Sequence, residues 1–157
     1  MDNFRVLVVD DEDDFLETIV KRLLKRGLEA RGVPTGEAAI ALMKERRFDV
    51  VLMDIKMPGG MDGIETFREL KKIQPLAEVI FLTGHATLES SVEGMKLGAF
   101  DYLIKPVKLD ELLPKLAEAF RKKSTHEQKI RDYKIQELIR HPASIFDMEK
   151  DDFFPEE

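Results

Sequence analysis

No cysteine occurs in the 157 residues, which removes disulfides, thiolate metal sites and cysteine nucleophiles at once. No apolar run approaches the roughly 18 residues that a membrane-spanning helix needs. Met1 leads straight into an apolar segment, without the charged, apolar and cleavage regions of a secretory leader. A cytoplasmic protein is therefore expected. Positive charge is also in deficit: a net charge of −6 argues against non-specific nucleic-acid binding, whose mark is a basic patch or a high pI. What remains is a globular chain long enough for one domain with a core, and for an appendage.

The most informative stretch runs from position 50 to position 63, VVLMDIKMPGGMDG. An unbroken apolar run bounded by turn residues suits a central strand covered on both faces, because alternation is needed only where one face meets water. Pro58 and the glycines after it force a loop. Asp54 then stands at a strand end, where open parallel sheets place their chemistry.

The rest of the chain repeats strand then helix. Phe4 to Val9 is a short apolar strand, followed by the acids Asp10, Asp11, Glu12, Asp13 and Asp14. Helical spacing begins at Phe15 and stops near Gly27. Asp13 and Asp14 suit a helix N-terminus, where negative charge is favoured; Asp10 and Asp11 come one step too early for that. A second strand, mixed and edge-like, covers Leu28 to Val33, and Thr35 can cap a helix over Gly36 to Arg46. A third helix is expected over Asp62 to Ile73, a fourth strand over Glu78 to Leu82, and a fourth helix over Thr87 to Leu97, stopped by Gly98. Phe100 to Ile104 is the fifth strand. The last core helix starts near Leu109, with Pro114 expected to kink it or delay its start. Such alternation implies an α/β fold: a doubly wound, five-stranded parallel sheet in the order 2-1-3-4-5, with a switch point between strands one and three.

In that arrangement the strand ends share one rim: Asp10 and Asp11 after the first, Asp54 after the third, Thr83 after the fourth, Lys105 after the fifth. Three close carboxylates repel, so their joint ionisation calls for a cation. Hard oxygen donors with room for water and phosphate oxygens suit Mg²⁺. A hydroxyl from Thr83 and an ammonium from Lys105 complete a site for a phosphoryl group. Central Asp54 is the candidate nucleophile, and an ionised carboxylate needs no general base.

These residues lie in the motifs VVDDE (Asp10, Asp11), MDIKMP (Asp54), LTG (Thr83, Gly84) and YLIKP (Tyr102, Lys105, Pro106). Over roughly residues 3–121 the sequence resembles the receiver domain of two-component response regulators, whose fold is flavodoxin-like. The resemblance implies that Asp54 accepts a phosphoryl group from a sensor histidine kinase or phosphotransfer protein. It implies Mg²⁺ held by Asp11, Asp54 and the backbone carbonyl of Lys56, with Asp10 acting partly through water. Thr83 and Lys105 would bind the phosphoryl oxygens, a cis peptide would precede Pro106, and Thr83 with Tyr102 would form the switch. Output would pass through the face of the fourth helix, fifth strand and fifth helix, to a downstream protein or a second copy. Lys56 and His85, each two residues beyond a site residue, are expected to tune the lifetime of the phosphoryl group. The loop after the acceptor, Met57-Pro58-Gly59-Gly60-Met61-Asp62-Gly63, is one glycine longer than the family often has.

Two other classes compete. A phosphatase of the aspartyl-nucleophile type also uses a strand-end Asp with Mg²⁺, Thr and Lys, but such enzymes carry a second Asp two residues on, where this chain has Lys56. A flavodoxin-like cofactor binder would want a Ser/Thr-rich phosphate loop after the first strand, and Asp10 and Asp11 would repel its ligand. The expected protein is thus a signalling domain that catalyses only its own phosphorylation and slow dephosphorylation.

The receiver-like unit is placed at residues 1–121, with a helical extension and an acidic, disordered tail over 122–157. Seven basic side chains oppose three acidic ones between Arg121 and Phe146, whereas Asp147 to Glu157 carries six acids and one lysine. Ile130, Tyr133, Leu138 and Ile139 give rough helical spacing, which Pro142 must end. Neither a helix-turn-helix nor a nucleotide-binding P-loop is found there, and direct DNA binding is not expected. The extension is expected either to be solvated or to dock a partner.

Overall fold

The computed structural model describes residues 3–84 and 88–142. Five strands, β1 (Arg5–Val9), β2 (Glu29–Val33), β3 (Val50–Asp54), β4 (Glu78–Thr83) and β5 (Asp101–Ile104), alternate with helices α1 (Asp13–Lys25), α2 (Gly36–Glu45), α3 (Gly63–Ile73), α4 (Leu88–Lys96) and α5 (Leu109–Arg140). All neighbouring strands are parallel, in the order β2-β1-β3-β4-β5. This is the expected α/β architecture, with strand boundaries shifted by one residue at most.

The sheet divides the core in two. One apolar layer joins Leu7, Val51, Met53 and Phe81 to Ala39 and Met43 of α2 and to Phe67 and Leu70 of α3. The other joins Val6, Val8, Leu52 and Leu82 to Ile19 and Leu23 of α1 and to Leu112 and Leu116 of α5. β3 and β4 are buried along their whole length. Their continuous apolar sequences follow from this two-sided cover.

Local signals act where the sequence places them. Thr35 accepts a hydrogen bond from the N–H of Ala38 at 3.1 Å, and Asp62 accepts one from Glu65 at 2.8 Å, each capping a helix. Gly27 and Gly98, just past α1 and α4, have φ of 84° and 109°. Only glycine takes such angles without strain, so both helices stop there.

Pro114 does not delay the start of the last helix. α5 starts at Leu109 and continues through Pro114 without interruption for 32 residues. Proline costs one hydrogen bond here, to the carbonyl of Asp110; Asp110 and Pro114 both lie on the exposed side, where solvent can satisfy that carbonyl. Beyond the core, α5 runs past the N-terminal ends of the strands. Phe120 stacks on Phe4 with ring centroids 4.6 Å apart, and Lys123 reaches Asp49 at 2.6 Å. The helix ends at Arg140, two residues before Pro142.

Candidate functional site

Strand register assembles the rim. Val9 lies opposite Met53, so Asp10 and Asp54, each one residue further on, become neighbours. Asp54 in turn pairs with Leu82, and Thr83 with Ile104, which brings Thr83 and Lys105 to the same edge. The Lys105–Pro106 peptide bond is cis.

Asp10 is fully buried and Asp54 is 7% exposed. The Lys105 ammonium donates to Asp10 Oδ2 at 2.7 Å, lies 3.3 Å from Glu12 Oε1, and sits 3.7 Å from Asp54 Oδ2. It also stands 4.5 Å above the centre of the Phe15 ring. Asp10 Oδ1 meanwhile accepts the backbone N–H of Glu12 at 2.9 Å. Three carboxylates, those of Asp10, Glu12 and Asp54, each present an oxygen within 4.8 Å of the others. Asp11 is exposed beside them.

One ammonium does not balance this charge. Burial pushes the Asp54 carboxyl up to about 7, with Asp10 and Asp11 adding to the rise and Lys105 opposing it. Burial raises Asp10 as well, against the hydrogen bond from Lys105. At Lys105 the balance goes the other way: burial disfavours its charge, but the bond to Asp10 and the field of Asp54 overcome that and hold the ammonium above its usual range. The donor set is all hard oxygen and short of positive charge, which fits a hard divalent cation such as Mg²⁺.

A stability prediction follows. The folded pKa of Asp54 lies above its unfolded value, so this group favours the cation-free fold fully below about pH 4, and that contribution is lost as pH rises through about 7. In EDTA, Asp54→Asn should therefore gain stability relative to the parent between about pH 4 and 7, levelling near 2 kcal/mol once the shift is discounted for partial solvent access. Urea unfolding across this range is the measurement; a difference independent of pH would rule out a strained carboxylate.

Thr83 closes β4, is buried, and donates from its hydroxyl to the carbonyl of Gly84 at 2.9 Å. Tyr102 pairs with Phe81, two residues before Thr83. Alternation along the strand therefore puts Tyr102 and Thr83 on the same face of the sheet. Half-buried Tyr102 packs on the layer that includes Phe81 and Met95 of α4. Lys56 is exposed in the loop after β3. His85 lies outside the described residues.

Glu12 is a contributor that the sequence does not single out. Within a run of five acids nothing distinguishes it from Asp13 and Asp14, which occupy the first turn of α1. Only its position one residue before the helix, beside the buried Asp10, turns it towards Lys105. A second such residue is Glu37 in the first turn of α2, whose carboxylate accepts the N–H of Met61 at 2.7 Å. It ties down the glycine-lengthened loop that follows Asp54, and this contact draws the Glu37 carboxyl below its usual range.

The model of the response regulator receiver domain matches residues 6–117. Regulatory protein AtoC of Escherichia coli (strain K12) is 42% identical over 108 residues, covering 69% of this chain and 23% of that protein. A receiver domain protein from Clostridium thermocellum is 36% identical with a TM-score of 0.74, over 78% of this chain and 98% of that one. NtrX from Brucella abortus, in complex with ADP, is 30% identical with a TM-score of 0.77, over 81% of this chain and 29% of that one. The chain thus spans about a quarter of the length of the curated relatives it matches.

Proposed function

Because the chain belongs to the response regulator receiver domain family, we propose that Asp54 is its phosphoacceptor, charged by a histidine kinase or phosphotransfer protein, and that Thr83 and Tyr102 relay the event. The observation carrying this is Asp54 itself: a carboxylate at the end of the central strand, 7% exposed, facing one ammonium and two further carboxylates.

In the reaction an oxygen of ionised Asp54 bonds to phosphorus while the bond from phosphorus to the donor's nitrogen or oxygen breaks. The leaving group keeps that electron pair. Lys105 meets the transferring oxygens with positive charge, easing its present hold on Asp10 as they arrive. Asp11, Asp54 and the Lys56 carbonyl would hold Mg²⁺, with Asp10 and Glu12 adjacent. When bound, the ion supplies the charge that keeps the carboxylates ionised together and offsets the phosphoryl oxygens. Lys56, where a phosphatase would carry its second Asp, offers no acid or base for turnover, so the chain acts as a switch and catalyses only its own phosphorylation and slow dephosphorylation.

The new oxygens attract the Thr83 hydroxyl, and space vacated beside β5 lets Tyr102 turn inward. This differential contact shifts the α4–β5–α5 face between two states, for a downstream protein or a second copy to read. Residues 1–121 form the receiving unit, and 122–157 its extension. Among the described residues no helix is long and apolar enough to cross a membrane, which supports the proposed cytoplasmic setting.

Incubation with acetyl phosphate and Mg²⁺ tests the reading. A hydroxylamine-labile mass gain of one phosphoryl group is expected, lost in EDTA; no gain with Mg²⁺ present would sink it. Lys56→Ala should change the decay of the phosphorylated form by more than about threefold, on the order of 0.7 kcal/mol of barrier. Decay unchanged within error would remove Lys56 from the path of the attacking water.

A further inference from the structure

A wide concavity lies at the opposite pole from Asp54. A groove of about 1160 Å³ separates α5 beyond Lys123 from the α2–β3 and α3–β4 turns. Its lining is strongly basic, and five of its cations, Arg31, Lys44, Arg46, Arg47 and Lys134, form no ion pair among the described residues. Two large apolar side chains also open into it, Leu24 at 51% and Ile130 at 42% exposure. Gln74 gives the groove a firm wall: its side-chain amide donates to the carbonyls of Met43 and Arg46 and accepts the N–H of Phe48. A patch of this charge is out of keeping with a chain of net charge −6.

The complementary chemistry lies in the same sequence. Residues 147–157, DMEKDDFFPEE, carry six acids against one lysine, with Phe153 and Phe154 at their centre. We propose that this acidic, aromatic segment docks in the groove of its own chain, pairing its carboxylates with the unpaired cations and covering Leu24 and Ile130 with its phenyl rings.

Reach permits it. α5 ends at Arg140, and His141 already departs from helical geometry with φ −132° and ψ 74°. From Arg140 back to the level of Ile130 is about 15 Å along a helix rising 1.5 Å per residue. Residues 141–146, if extended, span about 20 Å. Asp147 can therefore return to the level of Ile130, and the remaining residues can run on towards Arg46 and Arg47. Charge attraction at this range is strong at low salt and is screened at high salt, where the Debye length falls to a few ångströms.

The absence of native cysteine makes the test simple. A nitroxide attached at Pro155→Cys in the full chain should broaden the amide signals of Arg31, Arg46, Arg47 and Lys134 at least about twofold at about 50 mM salt, and release them at about 0.5 M. Signals at Asp10 and Asp54, on the other pole, should be unaffected. The double variant Arg46→Glu with Arg47→Glu, both exposed, should fold and lose the broadening. Full-strength signals in the groove at low salt would overturn the proposal. So would broadening that appears only when spin-labelled and isotope-labelled chains are mixed, which would assign the groove to the tail of a second copy.

Discussion

Replacing Asp54 with asparagine should lower the hydroxylamine-labile phosphoryl content, after acetyl phosphate and Mg²⁺, by at least about a hundredfold. The amide has nearly the same shape, so the rim should remain assembled, and the prediction separates loss of the nucleophile from loss of the fold. Asp10 and Glu12 remain in the variant, within 4.8 Å of the replaced side chain. Neither takes over on geometric grounds: Asp10 is fully buried and bonded to Lys105 and to the Glu12 N–H, while Glu12 stands at the flank. Intact mass and hydroxylamine sensitivity would be followed together with circular dichroism. Label retained at parental level in a folded Asp54→Asn would place the acceptor elsewhere and undo the proposed chemistry. Taken with the urea experiment, the substitution has a double signature, since the same change should stabilise the cation-free fold as it abolishes phosphorylation. A residue present only for structure would not behave so.

The second large effect is expected at Gly63. A Cβ added there would lie 2.4 Å from the carbonyl oxygen of Asp54 and 2.7 Å from the Cα of Ile55. Both are backbone atoms of the segment that presents the acceptor, and they cannot swing aside as a flexible side chain would. The Gly63 N–H also donates to the carbonyl of Ile55 at 2.8 Å, so the start of α3 is fixed against the end of β3. Gly63→Ala should cost about 3 kcal/mol in stability through overpacking and slow phosphorylation by tilting the Asp54 carboxylate. Gly84→Ala provides the contrast: its Cβ would meet nothing within 4 Å, and it should cost well under 1 kcal/mol. Urea midpoints for the pair are the measurement, and equal midpoints would show that α3 can withdraw from β3 without penalty.

These positions show which parts of the molecule are legible in the sequence. β3 and β4 can be read because burial on both faces removes the need for alternation, and the sheet order follows from strand–helix alternation with right-handed crossovers. Asp54, Thr83 and Lys105 can be placed on one rim because parallel strands must all end at the same side. Glu12 cannot be picked out, since an acid before a helix has an ordinary use and only the closeness of Lys105, 93 residues away in sequence, gives it another. Gly63 is equally silent. It looks like one more turn glycine, and the backbone pressed against it is visible only in three dimensions. Gln74 looks like a polar helix end, yet it clasps the end of α2 some 31 residues upstream. Pro114 misleads as to where the helix starts: it lies in an exposed first turn and a half, where the missing bond costs little and the helix begins ahead of it.

The unbroken course of α5 has a mechanical consequence. Leu112 and Leu116 are seated in the layer beneath β3 and β4 and Lys123 is still tied to Asp49, whereas Arg140 lies 17 residues beyond Lys123 in the same helix, about 26 Å away at 1.5 Å per residue. A helix is stiff over that length, so it acts as a lever with its fulcrum at the domain. A tilt of about 10° at the seat would carry the far end through about 4 to 5 Å over that 26 Å arm. Rearrangements of side-chain size at the Thr83 end of the sheet could thus be read as displacements of molecular size at the other pole.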